Sequence, residues 1–118
     1  MISPPGLDDT LLALADPTRR AIIARLEAGE ARVTDIAAPF QISLNSVSKH
    51  IKLLERADLV RRRRVGREHF LSFNPAPLEE AARWIEEKRA FWSGRLDALE
   101  EALKADKPEA RKKRKAKS

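Results

Sequence analysis

Apolar side chains recur at helical spacing along the first part of the chain, and turn or capping residues separate the stretches. The first stretch predicts a short helix from Leu7 to Ala15. Asp16 and Pro17 then interrupt the pattern, and a second helix is expected to begin there because Asp is a good N-cap and Pro suits the first helical position. Gly29 follows the apolar stripe of this second helix and is expected to end it.

Two further helices are predicted around a tight turn at residues 41–43. Thr34 is expected to cap the first of them, which runs from Asp35 to about Phe40, and Ser43 is expected to cap the second. The apolar residues of this second helix step at three and four positions and predict one buried stripe, formed by Leu44, Val47, Ile51 and Leu54. The opposite stripe is polar and consists of Asn45, Ser46, Ser48, Lys49 and Lys52.

The second half of the chain predicts a β-hairpin followed by one long helix. Residues 59–60 and 69–73 flank a basic segment in which Gly66 is placed for the turn. The segment Asn74-Pro75-Ala76-Pro77 then ends the strand and opens a helix that runs to about Leu103. Apolar side chains repeat every seven residues along this helix, and a stripe of that length needs a partner to cover it.

These elements predict one mainly α-helical domain with a small β-hairpin, a winged helix-turn-helix, over residues 7–103. Residues 1–6 are expected to be flexible. Residues 104–118 carry a run of like charges without apolar periodicity and are expected to form a disordered basic tail. The tail is either a nucleic-acid or localisation patch or simply a flexible, solubilising end.

Charge is distributed unevenly along the chain. The net charge is +6, and residues 107–118 account for all of it, with seven basic residues against one acidic residue. Within the neutral remainder, residues 43–69 hold eight basic side chains against three acidic ones. This polarity marks the second helix of the helix-turn-helix and the hairpin as the face that meets a polyanion.

A helix that enters the major groove presents short polar side chains near its N-terminus, and lysines further along contact phosphates. A basic hairpin next to it can reach the DNA backbone or the adjacent minor groove. Because strand residues alternate between faces, about half of the hairpin arginines can contact one backbone, and we favour Arg62, Arg64 and Arg67. The candidate DNA-binding residues are Ser43, Asn45, Ser46, Ser48, Lys49, His50, Lys52, Arg56, Arg62, Arg64 and Arg67.

Three segments resemble ArsR-type winged-helix regulators: LALADPTRRAIIARL from Leu12, VTDIAAPFQISLNSVSKHIKLLERADLV from Val33, and RRRRVGREHF from Arg61. The resemblance covers roughly residues 7–103 and is specific in the Ala-Asp-Pro-Thr-Arg-Arg entry to the second helix and in the Ser-x-x-x-Val-Ser-Lys-His recognition helix. The pairs Pro39-Phe40 and Phe91-Trp92 and the segment from Arg95 to Leu99 are similar to a branch without metal sites, whose members are often encoded beside a START-like helix-grip protein.

The resemblance implies a homodimer that is joined through the first and last helices and represses transcription from an imperfect palindrome. The long heptad stripe independently predicts a dimer, whose two-fold symmetry would set the recognition helices one DNA turn apart. The expected interface residues are Leu7, Leu11, Leu14, Leu78, Ile85, Trp92, Leu96, Leu99 and Leu103.

Other kinds of chemistry find little support in the sequence. The chain has no cysteine and two histidines, which lie on different predicted elements, so no metal site or other cofactor is expected. No glycine-rich phosphate loop and no nucleophile with a nearby base point to an enzyme. The N-terminus has no signal-peptide pattern and no apolar run spans a bilayer, so a cytoplasmic protein without membrane contact is expected.

Some alternatives stay open at this point. His50 is either packed at the edge of the core or in contact with a phosphate, and His69 is expected to be structural. Trp92 is expected at the dimer interface, whereas Trp84 is not assigned. An architectural protein that grips DNA without reading its sequence is the alternative function, and the operator, the regulated genes and the inducing signal are not predicted.

Overall fold

The computed structural model describes residues 3–106. Within that range the chain forms five helices and three short strands. Their bounds are α1 Leu7–Leu14, α2 Pro17–Glu27, β1 Ala31–Arg32, α3 Val33–Ala37, α4 Leu44–Arg56, β2 Val60–Val65, β3 Glu68–Phe73 and α5 Ala76–Asp106. The mainly α-helical fold with a basic hairpin is therefore confirmed. Of the tail predicted for residues 104–118, residues 104–106 are helical, and residues 107–118 lie outside the described residues.

Local capping explains where α2 begins. The side chain of Asp16 accepts a hydrogen bond from the backbone N–H of Arg19 at 3.1 Å, and Pro17 occupies the first helical position. An aspartate cap satisfies one of the four amide groups that the start of a helix leaves unpaired. Both predictions for this junction are confirmed.

The helix-turn-helix consists of α3 and α4, and its first helix differs from the prediction. Arg32, not Thr34, is the N-cap of α3, and the helix is complete by Ala37. The reason is tertiary, because Ala31 and Arg32 pair with β3 and the chain turns directly from that strand into the helix. Helix α4 begins as predicted, with Ser43 accepting a hydrogen bond from the N–H of Ser46.

The three strands form one antiparallel sheet in the order β1-β3-β2. In the hairpin, Val60 pairs with Phe73 and Val65 with Glu68, and Gly66 has the positive φ of 61° that the tight turn requires. Asp58, between α4 and β2, also has a positive φ of 58°, which Asp tolerates better than most residues. Strand β1 is an addition to the predicted hairpin, because the sequence indicated only an extended link there.

The core lies where α2, α3 and α4 meet the sheet. Its largest fully buried side chains are Ile22, Ile36, Val47, Ile51, Leu54, Leu59, Val60 and Leu71. Each contributes about 1.5 to 3 kcal/mol through its removal from water. Leu44 was predicted to share this stripe but is 56% exposed, because it lies at the first position of α4 and beyond the edge of the core.

Helix α5 continues three residues past its predicted end, to Asp106. The chain divides into two compact units, one up to Arg83 and the other from Trp84 onward. In the first unit, Leu78 packs partly against the core. In the second, the large apolar side chains of the helix are exposed, except that of Trp84.

Candidate nucleic-acid interface

Helix α4 presents one continuous exposed stripe, formed by Asn45, Lys49, Lys52 and Arg56. The steps of four, three and four residues keep these side chains on one side of the helix. Within residues 3–106, Lys49 and Lys52 form no ion pair, so their charges are available to a polyanion, whereas Nε of Arg56 lies 3.6 Å from a carboxylate oxygen of Asp9. The stripe offers one amide near the helix N-terminus and three cations behind it.

The two serines at the start of α4 bind each other. Besides accepting from the backbone of Ser46, the hydroxyl of Ser43 donates to the hydroxyl of Ser46 at 3.1 Å. Ser43 is therefore engaged as the helix cap, while the Ser46 hydroxyl can still donate its own proton. Of the two, Ser46 is better prepared to contact a base or phosphate.

The hairpin, which we call the wing (residues 60–73), carries arginines on both faces. Arg62 and Arg64 share the face of Val60 and Leu71, which is directed toward α4, because alternate strand residues point the same way. Nη2 of Arg62 lies 2.7 Å from Oε1 of Glu55, and Nε of Arg64 donates to the carbonyl oxygen of Gly66 at 2.9 Å. Two of the three favoured arginines, Arg62 and Arg64, thus lie on one face, but Arg62 already has a carboxylate partner, and Arg67 lies in the turn.

The other two arginines of β2 bind acids on neighbouring segments. Nη2 of Arg63 lies 2.6 Å from Oε1 of Glu30, and its guanidinium also lies 5.1 Å from the centre of the Phe70 ring. Nη2 of Arg61 lies 3.1 Å from Oδ2 of Asp58. Hydrogen bonds from these arginines lower the pKa values of Glu30 and Asp58, so both pairs stay ionised at neutral pH.

A cleft of about 320 Å³ separates the wing from the start of α4. Ser48 lies on its helix side, and Arg62, Arg67 and His69 lie on its wing side. Within the described residues Arg67 has no polar partner, and Nδ1 of His69 is buried without a hydrogen bond. The cleft also contains Arg32 and Glu68, which form an ion pair, so Arg67 is the arginine of its lining whose charge stays available to a phosphate.

His50 lies on the opposite flank of α4 from this cleft and is packed against α2. Its Nδ1 lies 3.1 Å from Nη1 of Arg19 and 3.7 Å from Oδ2 of Asp16, and 22% of its side chain is exposed. The contacts agree with a histidine packed at the edge of the core, and the phosphate contact of His50 stays a prediction. His50 contacts α2, whereas Arg62 belongs to the wing, so the two residues lie on different sides of the exposed stripe.

Sequence reasoning missed Arg19, which is 8% exposed. Its Nε donates to the carbonyl of Ala13 and its Nη2 to that of Leu12, each at 2.9 Å, so it binds the end of α1 as well as His50. The Asp-Pro-Thr-Arg-Arg motif drew attention only as a helix start. Nothing in helical periodicity distinguishes Arg19 from its exposed neighbour Arg20.

The residues expected at a dimer interface fall into two groups. Leu7 is 5% exposed, and Leu14 and Leu78 pack partly against the core, so their own chain already covers much of their surface. Leu11 on α1 is exposed. In the unit from Trp84 onward, half or more of the side chain is exposed at five stripe positions, Ile85, Trp92, Leu96, Leu99 and Leu103.

The described residues form neither a metal site nor a membrane-spanning helix. In residues 3–106, no three His, Cys, Asp or Glu side chains come together in a way that could hold a metal ion. None of the helices in that range has both the length and the apolar character that crossing a bilayer requires.

Comparisons with known proteins agree with this geometry. A helix-turn-helix domain family matches residues 14–63, from the end of α1 into the wing. The chain is 33% identical over 79 residues to the transcriptional repressor SdpR of Bacillus subtilis, which covers 67% of this chain and 88% of SdpR. It is 41% identical over 66 residues to the HTH-type transcriptional regulator Rv2034 of Mycobacterium tuberculosis, which covers 56% of this chain and 62% of that protein.

Solved structures match a larger share of the chain. The ArsR family transcriptional regulator RHA00566 is 36% identical, superposes with a TM-score of 0.73 and covers 79% of this chain and 97% of its own. An ArsR-like transcriptional regulator from Rhodococcus sp. RHA1 is 30% identical with the same TM-score and covers 82% of this chain and 92% of its own. The chain therefore belongs to the ArsR family of winged helix-turn-helix transcriptional regulators, which are DNA-binding proteins and not enzymes.

Proposed function

We propose that this regulator is a homodimeric repressor that binds an imperfect palindrome in the promoter of its own operon. The observation that carries the proposal is the exposed stripe of α4, an amide followed by three cations, beside a cleft lined with arginine. Short polar groups at the helix start suit base edges, and the cations behind them suit phosphates. The names of its relatives, the repressor SdpR and the arsenical resistance operon repressor of Staphylococcus aureus, support the direction of control.

The proposed DNA contacts form three sets. Asn45, Ser46 and Ser48 read bases, with Ser43 holding the helix start, and Lys49, His50, Lys52 and Arg56 contact phosphates. Arg62, Arg64 and Arg67 bind the flanking backbone from the wing. Six of these eleven side chains are lysine or arginine cations, so a large share of the affinity is expected to come from displaced counterions.

The proposed dimer uses the apolar side chains that the single chain leaves exposed. Leu11 on α1 and the stripe from Ile85 to Leu103 on α5 are candidates, because exposed apolar side chains at heptad spacing are typical of helix pairing. Leu7 is buried in its own chain and contributes to the dimer by holding α1 in place. A two-fold pair of this kind presents two recognition helices to successive major grooves, about 34 Å apart.

We further propose that induction involves no metal and no other cofactor, and that a START-like protein encoded nearby is the operon partner. The absence of cysteine from the whole chain supports the first part. The small-molecule or protein signal that releases DNA is not assigned.

Footprinting on DNA immediately upstream of the coding sequence tests the function. The expected result is a protected palindrome with two half-sites one helical turn apart, bound at least about a thousandfold more tightly than random duplex. Equal affinity for any duplex would favour the architectural function. A chain that stays monomeric at micromolar concentration, with and without that DNA, would refute the dimeric repressor.

A further inference from the structure

The buried guanidinium of Arg19 binds three partners at once. Nε and Nη2 donate to the carbonyl oxygens of Ala13 and Leu12, and Nη1 lies 3.1 Å from Nδ1 of His50. The two carbonyls belong to the C-terminal end of α1, whereas His50 belongs to the recognition helix. Because a guanidinium is planar and rigid, its two bonds to α1 fix where Nη1 can lie.

This contact determines the form of the imidazole. Arginine nitrogens only donate, so Nδ1 of His50 must accept, and the proton of the neutral ring is then on Nε2. The other charged group that faces the ring is Asp16, but its Oδ2 is 3.7 Å from Nδ1, beyond hydrogen-bond distance, and accepts from the N–H of Arg19 instead. Arg19 and Asp16 therefore face the ring with one positive and one negative charge.

Nε2 of His50 is available to an outside partner. Among the described residues it has no hydrogen bond, and it is not buried, unlike Nδ1 of His69. His50 follows Ser46 by four residues and so lies on the same side of α4, one turn further from the helix start. A donor at this distance from the helix start, where bases are read, is suited to a phosphate oxygen.

We propose that Arg19 is a positioning residue of the DNA interface. It holds His50 with Nδ1 as acceptor, so that Nε2–H donates an uncharged hydrogen bond to a DNA phosphate. This inference rests on the proposed function, which places His50 among the DNA contacts. It adds that the contact strengthens binding without displacing a counterion, because the donor is neutral, and that α1 sets the position of the donor.

Two substitutions of His50 separate its two nitrogens. In His50→Asn the side-chain oxygen can replace Nδ1 as acceptor, but no donor reaches the position of Nε2. In His50→Gln the amide nitrogen can replace Nε2 as donor. On a duplex selected from a random pool by the protein itself, His50→Asn is expected to bind about tenfold more weakly and His50→Gln within about threefold of the wild type. Neither should change the slope of log affinity against log salt.

Arg19→Lys tests the positioning role, and Arg20→Lys is the matched control, because Arg20 donates to the carbonyl of Leu14 and does not contact His50. Arg19→Lys is expected to weaken binding about tenfold in the wild type and to have no further effect in His50→Asn. ¹⁵N spectra of the ring should show a protonated Nε2 in the wild type and a mixture of both tautomers in Arg19→Lys. Additive losses in the double variant, or a protonated Nδ1 in the wild type, would overturn the proposal.

If Arg19→Lys does not fold, the two His50 variants and the wild-type spectrum decide the question. Lys52→Ala on the same duplex distinguishes the inference from the function beneath it. If Lys52→Ala weakens binding and His50→Asn does not, the positioning role is refuted and the interface stands. If neither has an effect, the proposed interface itself is refuted.

Discussion

Nη2 of Arg62, on the wing, lies 2.7 Å from Oε1 of Glu55, on the recognition helix. A second bond joins Nε of Arg62 to Oε2 of Glu55 at 3.3 Å, so the pair is bidentate. Bidentate pairs fix geometry as well as charge. The contact therefore sets the distance between the two elements that are proposed to bind DNA.

Removing the acid of this pair should release the charge of Arg62. We expect Glu55→Gln to strengthen binding to random duplex and to steepen the salt dependence by about one unit, because Arg62 then neutralises a phosphate in place of a carboxylate. Titration of random duplex across a range of salt concentrations measures both. Glu87→Gln on α5 is the control for the loss of one negative charge. A slope that does not change would remove Arg62 from the phosphate contacts.

Lys52 has no partner within the described residues and lies in the middle of the exposed stripe. Lys52→Ala is expected to weaken binding to all sequences and to lower the salt slope by about one unit. Lys104→Ala removes the same charge from α5, where the ammonium group lies 3.3 Å from Glu100, and should leave the slope unchanged. Equal salt slopes for Lys52→Ala and Lys104→Ala would exclude Lys52 from the phosphate contacts.

Asn45 is the exposed amide at the second position of α4. Asn45→Ala is expected to relax the preference at one base position and to cost about 1 to 3 kcal/mol on the operator, because an amide reads a base edge through paired hydrogen bonds. Affinities for operators that differ at single positions measure this preference. An equal loss on operator and random DNA would show that Asn45 contacts only the backbone.

Leu96 is 60% exposed on α5. A buried charge in the proposed dimer would lack a partner, so Leu96→Asp is expected to produce a monomer in sedimentation experiments at micromolar concentration and to abolish operator binding. Ala90→Asp introduces the same charge on the opposite side of the helix and should leave the dimer intact. A dimer that survives Leu96→Asp would exclude this stripe as the interface.

The acid at the start of α2 makes stability depend on pH. The hydrogen bond from the backbone of Arg19 lowers the pKa of Asp16, and the positive charge of the Arg19 side chain lowers it further. Because the folded pKa is below the unfolded value, the stabilisation is present at neutral pH and is lost as the pH falls through the lowered value. Asn also caps helices but does not ionise. The urea midpoint of the wild type should therefore exceed that of Asp16→Asn at neutral pH and approach it in acid.

Asp97→Asn, on α5, is the control for the loss of a carboxylate without a capping role. The difference between its urea midpoint and that of the wild type should be the same at every pH. A constant difference between the wild type and Asp16→Asn down to the lowest pH would show that the cap acts without its charge.

Local rules predicted much of this fold. Asp16 and Ser43 mark helix starts by accepting a hydrogen bond from a backbone N–H three residues ahead, and Pro17 marks one through its own fixed φ. The signal therefore lies within a short window of sequence. The same holds for Gly66 in the turn of the wing. The polar stripe of α4 was visible because helical periodicity alone determines which residues share a side.

The rest depends on contacts between distant residues. Arg63 binds Glu30, which is 33 residues away, and Arg19 binds His50, which is 31 residues away. No periodicity links such positions. The local sequence also does not show which carboxylate or carbonyl each of the four consecutive arginines binds. Thr34 failed as a helix cap for the same reason, because Arg32 pairs with Phe70 of a distant strand and the helix begins directly after it.

The ion pairs of the wing bear on how the regulator searches a genome. Arg61, Arg62 and Arg63 each form an ion pair with a carboxylate of their own chain. On DNA without the operator sequence, the wing therefore gains little binding free energy, because a phosphate only replaces a carboxylate. Encounters with unrelated sequence should therefore be brief, and the dwell time at any one place short. A protein built this way leaves mismatched sites quickly and is held where its recognition helix also fits.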